Sequence, residues 1–177
     1  LSIAAKGYSQ LSLSFTYQKD APTISVNRKS ATIYAKKPAS KYRTVTLKAN
    51  VAGPNSEVSW ESSNNKVATV SSKGVVTAKK AGKVTITATA NGVSAKSTIT
   101  VKDPTIKVSK TKYTLKKGKK ITVKASATPS AKVSYKTSSK KIATVTSKGV
   151  VKGKKKGTAK ITVSANGVSK TVTVKVK

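Results

Sequence analysis

Two stretches of this chain, 75 residues apart, are copies of one another: Asn65 to Ser94 and Lys140 to Ser169 align without a gap and agree at 19 of 30 positions. Both copies must fold by the same rules, so the chain is a tandem array of one module. Arrays of small β modules act as spacers or binding surfaces more readily than as catalytic bodies.

The repeat sets the domain boundaries. PTISVNRK from Pro22 and PTIKVSK from Pro104 open the two copies, giving a leader of residues 1–21 and modules at 22–103 and 104–177. The openings are 82 residues apart and the back halves 75, so the first module carries about seven extra residues. The surplus sits mainly in KKPASKYR, Lys36 to Arg43, where the second module has KKGKK, Lys116 to Lys120. A proline-containing insertion between two strand-like runs reads as an enlarged hairpin loop. The linker from Val101 to Pro104 is too short for free swinging and its proline restricts two torsions, so a stiff pair is expected.

Within the modules β-branched and polar residues alternate, as in VTITATA from Val84 and KTVTVKVK from Lys170. That period of two is the mark of half-buried strands. The first module reads as eight short runs (TISV, ATIYA, TVTLKA, VSWES, VATVS, GVVTA, VTITATA, STITVK) with no helical period. Asn91-Gly92 and Asn166-Gly167 are hairpin signals, because both central residues of a type I′ turn need positive φ. The expected fold class is all-β: tandem antiparallel two-sheet sandwiches. The leader alternates as well. LSLSFTY from Leu11 places Leu11, Leu13, Phe15 and Tyr17 on one face, and reads as the end of a preceding module or as a strand donated to another subunit.

Composition sharpens the functional reading. Thirty-seven Lys and Arg stand against four acids, Asp20, Glu57, Glu61 and Asp103, for a formal charge of +33 with no His. Cys and Met are absent, which excludes disulfides and thiolate metal sites. No apolar run approaches the length of a membrane span, so no membrane insertion is expected. Beginning on Leu1 and not Met, the sequence is read as a processed or excised piece of a longer product.

Val58-Ser59-Trp60, followed by SSNNKVATVSSKGVVTAKKAGKVTITATANG from Ser62, resembles the group 2 bacterial immunoglobulin-like domain. The second copy carries the pattern from Val133, with Tyr135 in the tryptophan place. The resemblance implies an Ig-like sandwich from a bacterial surface protein, of the kind used in stalks and adhesins, and it brings no catalytic residues. It also implies an extracellular or cell-surface location.

The residues themselves point the same way. An enzyme needs a nucleophile, an acid or base, or a metal, and four scattered carboxylates without His or Cys supply almost nothing. No catalytic residue, no metal ligand and no cofactor is assigned. Glu57 and Glu61 share a strand face and are read as neutralising nearby lysines. Trp60 and Tyr135 occupy the same repeat position between alternating residues and are read as core residues. The less regular aromatics, Tyr8, Tyr17, Tyr34, Tyr42 and Tyr113, are candidates for exposure, and Tyr42 in the insertion is the aromatic contact candidate.

The polyanion-contact candidates are Lys41 and Arg43 in the insertion, Lys116, Lys117, Lys119 and Lys120 in one turn, and Lys154, Lys155 and Lys156 in another. Lysine is a hydrated point charge without the planar fork of arginine, so this surface suits diffuse attraction to polyanions and only nonspecific contact with nucleic acid. Lysines also keep strand edges from pairing, but mixed charge would do that with less self-repulsion. The expected function is therefore a stiff, non-catalytic spacer whose lysine coat holds anionic cell-wall polymers or acidic glycans, with neighbouring domains of the same polypeptide as its other partners. The alternative is a homo-polymer, an extracellular filament assembled by exchange of the N-terminal strand.

Overall fold

A computed structural model describes residues 20–55 and 57–177. The leader strand from Leu11 to Tyr17, and with it the strand-exchange expectation, lies outside the described residues.

Among the described residues the first module has nine strands: β1 (Thr23–Val26), β2 (Ser30–Tyr34), β3 (Thr44–Thr46), β4 (Ala49–Ala52), β5 (Ser59–Ser62), β6 (Ala68–Val70), β7 (Val75–Ala78), β8 (Gly82–Ala90) and β9 (Val93–Lys102). β8 and β9 form the central hairpin around Asn91 and Gly92, whose φ values of 51° and 77° give the left-handed turn that matches strand twist. Every second residue of β8 (Val84, Ile86, Ala88, Ala90) is buried, as are Ser97, Ile99 and Val101 of β9. One layer is the four-stranded sheet β2-β9-β8-β5, and the other comprises the three-stranded sheet β3-β7-β6 and the ribbon β1-β4. Between them lies a core of Ile33, Leu47, Val76, Val84, Ile86, Ile99 and Val101 with several alanines.

Three details differ from the reading of the sequence. TVTLKA is two strands, because the chain changes partners at Leu47 and Lys48. The Leu47 N–H still donates to the Gly74 carbonyl at 2.9 Å, beyond the end of the β3–β7 ladder, whereas the Lys48 carbonyl already accepts from the Asn27 N–H at 2.9 Å beside β1. A bend of this kind lets one alternating run pair first in one sheet and then in another. The stretch Lys36 to Arg43 is not a hairpin loop: it crosses from β2 in one sheet to β3 in the other, and it contains a single helical turn, α1 (Ser40–Arg43). Finally, β2 pairs with β9 in parallel, so the four-stranded sheet is mixed. Alternation specifies which face of a strand is buried and says nothing about the direction of its neighbour.

The second module repeats this plan with β10 (Thr105–Val108), β11 (Lys112–Leu115), β12 (Lys120–Thr122), β13 (Ala125–Thr128), β14 (Ser134–Thr137), β15 (Ala143–Val145), β16 (Val150–Gly153), β17 (Gly157–Ala165) and β18 (Val168–Val176). Its sheets are β11-β18-β17-β14, β12-β16-β15 and β10-β13, with β11 parallel to β18. Ile106, Leu115, Val123, Val151, Ile161, Val163, Val172, Val174 and Val176 fill its core. At the junction Lys36 Nζ pairs with the Asp103 carboxylate at 3.1 Å, both side chains about half exposed. The Ala35 N–H donates to the Lys102 carbonyl, and Lys37 lies against Gly167 of the second module's hairpin turn.

Candidate polyanion interface

The two lysine-rich turns of the second module are separated by more than thirty residues in sequence but adjoin in space. The β11–β12 turn, Lys116 to Lys119, reverses at Gly118, whose φ of 80° lies in the left-handed region. The Gly118 N–H donates to the Gly153 carbonyl at 2.8 Å, and the Gly153 N–H donates back to Lys119 at 3.1 Å. Those bonds extend the β12–β16 ladder and lock the turn to the loop that carries Lys154, Lys155 and Lys156. The Lys117 N–H donates to the Lys177 carbonyl, bringing the end of β18 into the same cluster. From the other side the Lys154 and Lys155 N–H groups both donate to the Ile142 carbonyl, which adds Lys140 and Lys141. Lys116, Lys117, Lys119, Lys120, Lys152, Lys154, Lys155, Lys156 and Lys177 are all exposed.

Within this cluster Lys120 and Lys152 stand directly opposite each other in the β12–β16 register. Like charges in that relation destabilise a sheet pair. The first module has Thr44 opposite Thr77 there. Reading the sequence found the two turns but missed Lys152 and Lys177, because their membership depends on strand register and not on local spacing.

The insertion of the first module is arranged differently. Lys41 is exposed with its ammonium 4.9 Å from the centre of the Tyr42 ring, a cation–π contact. Tyr42 is half-buried, and so is Arg43, whose Nε is enclosed without a hydrogen-bond partner among the described residues. Tyr34 and Tyr113 are also half-buried, the latter with its hydroxyl 2.9 Å from Ser109 Oγ, so none of the three described candidates for exposure is freely exposed. Packing of the helical turn against β2 and β3 partly covers side chains that an open hairpin loop would have presented.

Glu57 and Glu61 are exposed and neither forms an ion pair; the one ion pair among the described residues is Lys36 with Asp103. The lysine coat is thus left almost wholly without internal counter-charge. No group of three or more His, Cys, Asp or Glu side chains gathers among the described residues. Trp60 and Tyr135 are half-buried at the edges of the two cores, each ring against a glycine, Gly74 and Gly149 respectively. Burial pushes the Tyr135 phenol above its ordinary pKa, so it is a neutral hydroxyl at physiological pH.

The pattern of the bacterial Ig-like domain (group 2) matches residues 20–101 and again residues 104–176. The chain belongs to that family. The match occurs twice, in tandem. Kappa-carrageenase of Pseudoalteromonas carrageenovora is 44% identical to this pair over 69 residues, 37% of this chain and 17% of that protein. Among solved structures, the S-layer protein fragment rSbsC(31-844) overlays with a TM-score of 0.44 at 24% identity, covering 88% of this chain and 28% of that one. A C-terminal fragment of intimin, solved in complex with the intimin-binding domain of its translocated receptor, overlays with a TM-score of 0.39 at 19% identity, covering 88% and 64%. The family assignment rests on the sequence match in both modules, and overlays at these scores add nothing to it. No helix among the described residues is long and apolar enough to cross a membrane.

Proposed function

We propose that this bacterial Ig-like pair is a non-catalytic structural and adhesive unit of a surface protein, a stiff spacer whose second module holds anionic cell-wall polymers or acidic glycans at its lysine pole. The observation that carries the reading is the convergence of the 116–120 turn, the 152–156 loop and Lys177 on one end of the module, held by reciprocal backbone hydrogen bonds. A polyanion laid across that end releases its condensed counterions and relieves repulsion that the protein does not relieve for itself. The facing pair Lys120 and Lys152 supports this, since stability alone favours the threonines of the first module. The stiffness has its own support in the four-residue junction, the Lys36–Asp103 pair and the seating of Lys37 on Gly167.

The test is retention on immobilised anionic polysaccharide, with kappa-carrageenan and a teichoic acid as probes and dextran as the neutral control, across a salt series. Retention that falls steeply with salt, and that drops when Lys116, Lys119, Lys154 and Lys155 are changed together to Gln, is expected. Equal and salt-independent behaviour on dextran would sink the reading.

A further inference from the structure

Apart from the pole, the second module has a cavity of about 170 Å³ lined by Tyr135, Lys136, Thr137, Lys140, Thr144 and Val145. It lies between β14 and β15, which are the outer strands of the module's two sheets on one side. In the first module the two equivalent strands are tied together. Trp60 stands in place of Tyr135, and Ser62 Oγ donates to the Ala68 carbonyl at 2.7 Å, tying β5 to β6. In the second module Thr137 takes the place of Ser62, and its hydroxyl turns to its own loop, where it accepts from the Ser139 N–H at 3.3 Å. The tie between the strands is lost, and a smaller ring stands where the first module has an indole. Charge changes sign at the same edge: Glu61 and Asn65 of the first module become Lys136 and Lys140, both exposed.

We propose that this cavity seats a single anion-bearing sugar unit, as a side group or end group of the polymer held at the pole. The naming of the polymer rests on the function proposed above; the cavity's own selectivity does not. Its volume is well below the roughly 300–1,000 Å³ of clefts that take drug-sized ligands, so it admits one ring and not a run of them. The Tyr135 ring supplies an apolar wall, the Thr144 hydroxyl meets sugar hydroxyls, and the two ammonium groups meet the acid. Lysine imposes no planar geometry on its anion, so carboxylate, phosphate and sulfate share this chemistry. The cavity adjoins the pole, because the Ile142 carbonyl, two residues from Lys140, is the one that anchors Lys154 and Lys155.

The experiment is an amide-resonance titration of the whole chain in about 0.15 M salt with glucuronate, glucose 6-phosphate and glucose 6-sulfate, and with glucose as control. Saturable shifts confined to Lys136, Thr137, Lys140, Thr144 and Val145 with at least one acidic sugar, and absent with glucose, are expected. Tyr135→Trp, Lys136→Glu and Lys140→Asn each install the first module's residue, so the fold tolerates them, and each is expected to weaken binding about tenfold. Shifts that never saturate, shifts spread over all the lysines, equal response to glucose, or unchanged titration of the three variants would each overturn the site. The Gln variant of the pole should lose polysaccharide retention yet keep this titration. A wild-type chain that titrates with the sugar but is not retained on any anionic polymer removes the polymer reading and leaves the cavity standing.

Discussion

Ser97 is the residue at which the two copies disagree most sharply with their shared core. It is fully buried opposite Ile86, and its Oγ has no hydrogen-bond partner among the described residues. The equivalent Val172 lies opposite Ile161, also fully buried. A buried hydroxyl without a partner loses its hydration and receives nothing in exchange, a penalty of about 1–3 kcal/mol. Ser97→Val should therefore stabilise the first module by about 1 kcal/mol, and Val172→Ser should destabilise the second by at least as much, both read from urea unfolding midpoints; a destabilised Ser97→Val would mean that the hydroxyl has an unrecognised partner. Gly74 and Gly149 make the opposite point, since here the copies agree because nothing else fits. Both have left-handed φ, 73° and 77°, and a Cβ on Gly149 would lie 2.6 Å from the Val123 carbonyl oxygen and 2.9 Å from the Tyr135 ring. On Gly74 it would run into the Leu47 carbonyl and the Trp60 indole. Gly149→Ala is expected to destabilise the second module by more than about 2 kcal/mol in the same assay, because φ strain and overlap add.

At the scale of the element, β12 and β16 show a ladder that trades stability for charge. Lys120 and Lys152 face each other, and Thr144 stands on the other side of Lys152. Changing both lysines to Thr, as at Thr44 and Thr77, should raise the unfolding free energy by about a few tenths of a kcal/mol at low salt, with the gain shrinking as salt screens the repulsion. The same double variant should elute earlier from anionic polysaccharide. A gain in stability with unchanged retention would separate the pair from the proposed interface. Strand content was readable from alternation, and the Asn-Gly hairpins from turn chemistry. The division of TVTLKA at Leu47 was not, because the alternation runs unbroken through the point at which the strand changes partners. Nor was α1 readable: four residues are too few to establish a helical period, and tertiary packing holds them.

For the whole molecule the governing quantity is a net charge of +33, with a single ion pair among the described residues. The Lys36–Asp103 pair is half exposed and contributes at most about 1 kcal/mol. Self-repulsion should therefore dominate the response to salt, and the melting temperature is expected to rise between about 0.01 and 0.3 M sodium chloride; a flat or falling melting curve would show that the lysines are neutralised in some other way. The sequence by itself determined the duplication, the period-two strands and the family, because each is written in residues close together along the chain. It also marked the two lysine turns as separate candidates. Only the tertiary structure joined them into one pole with Lys152 and Lys177, half-buried Tyr42 and Arg43, and shaped an edge cavity beside Tyr135. Those outcomes depend on strand register and on which sheet each strand enters, and they are decided by packing between residues far apart in sequence, where a local pattern carries no information.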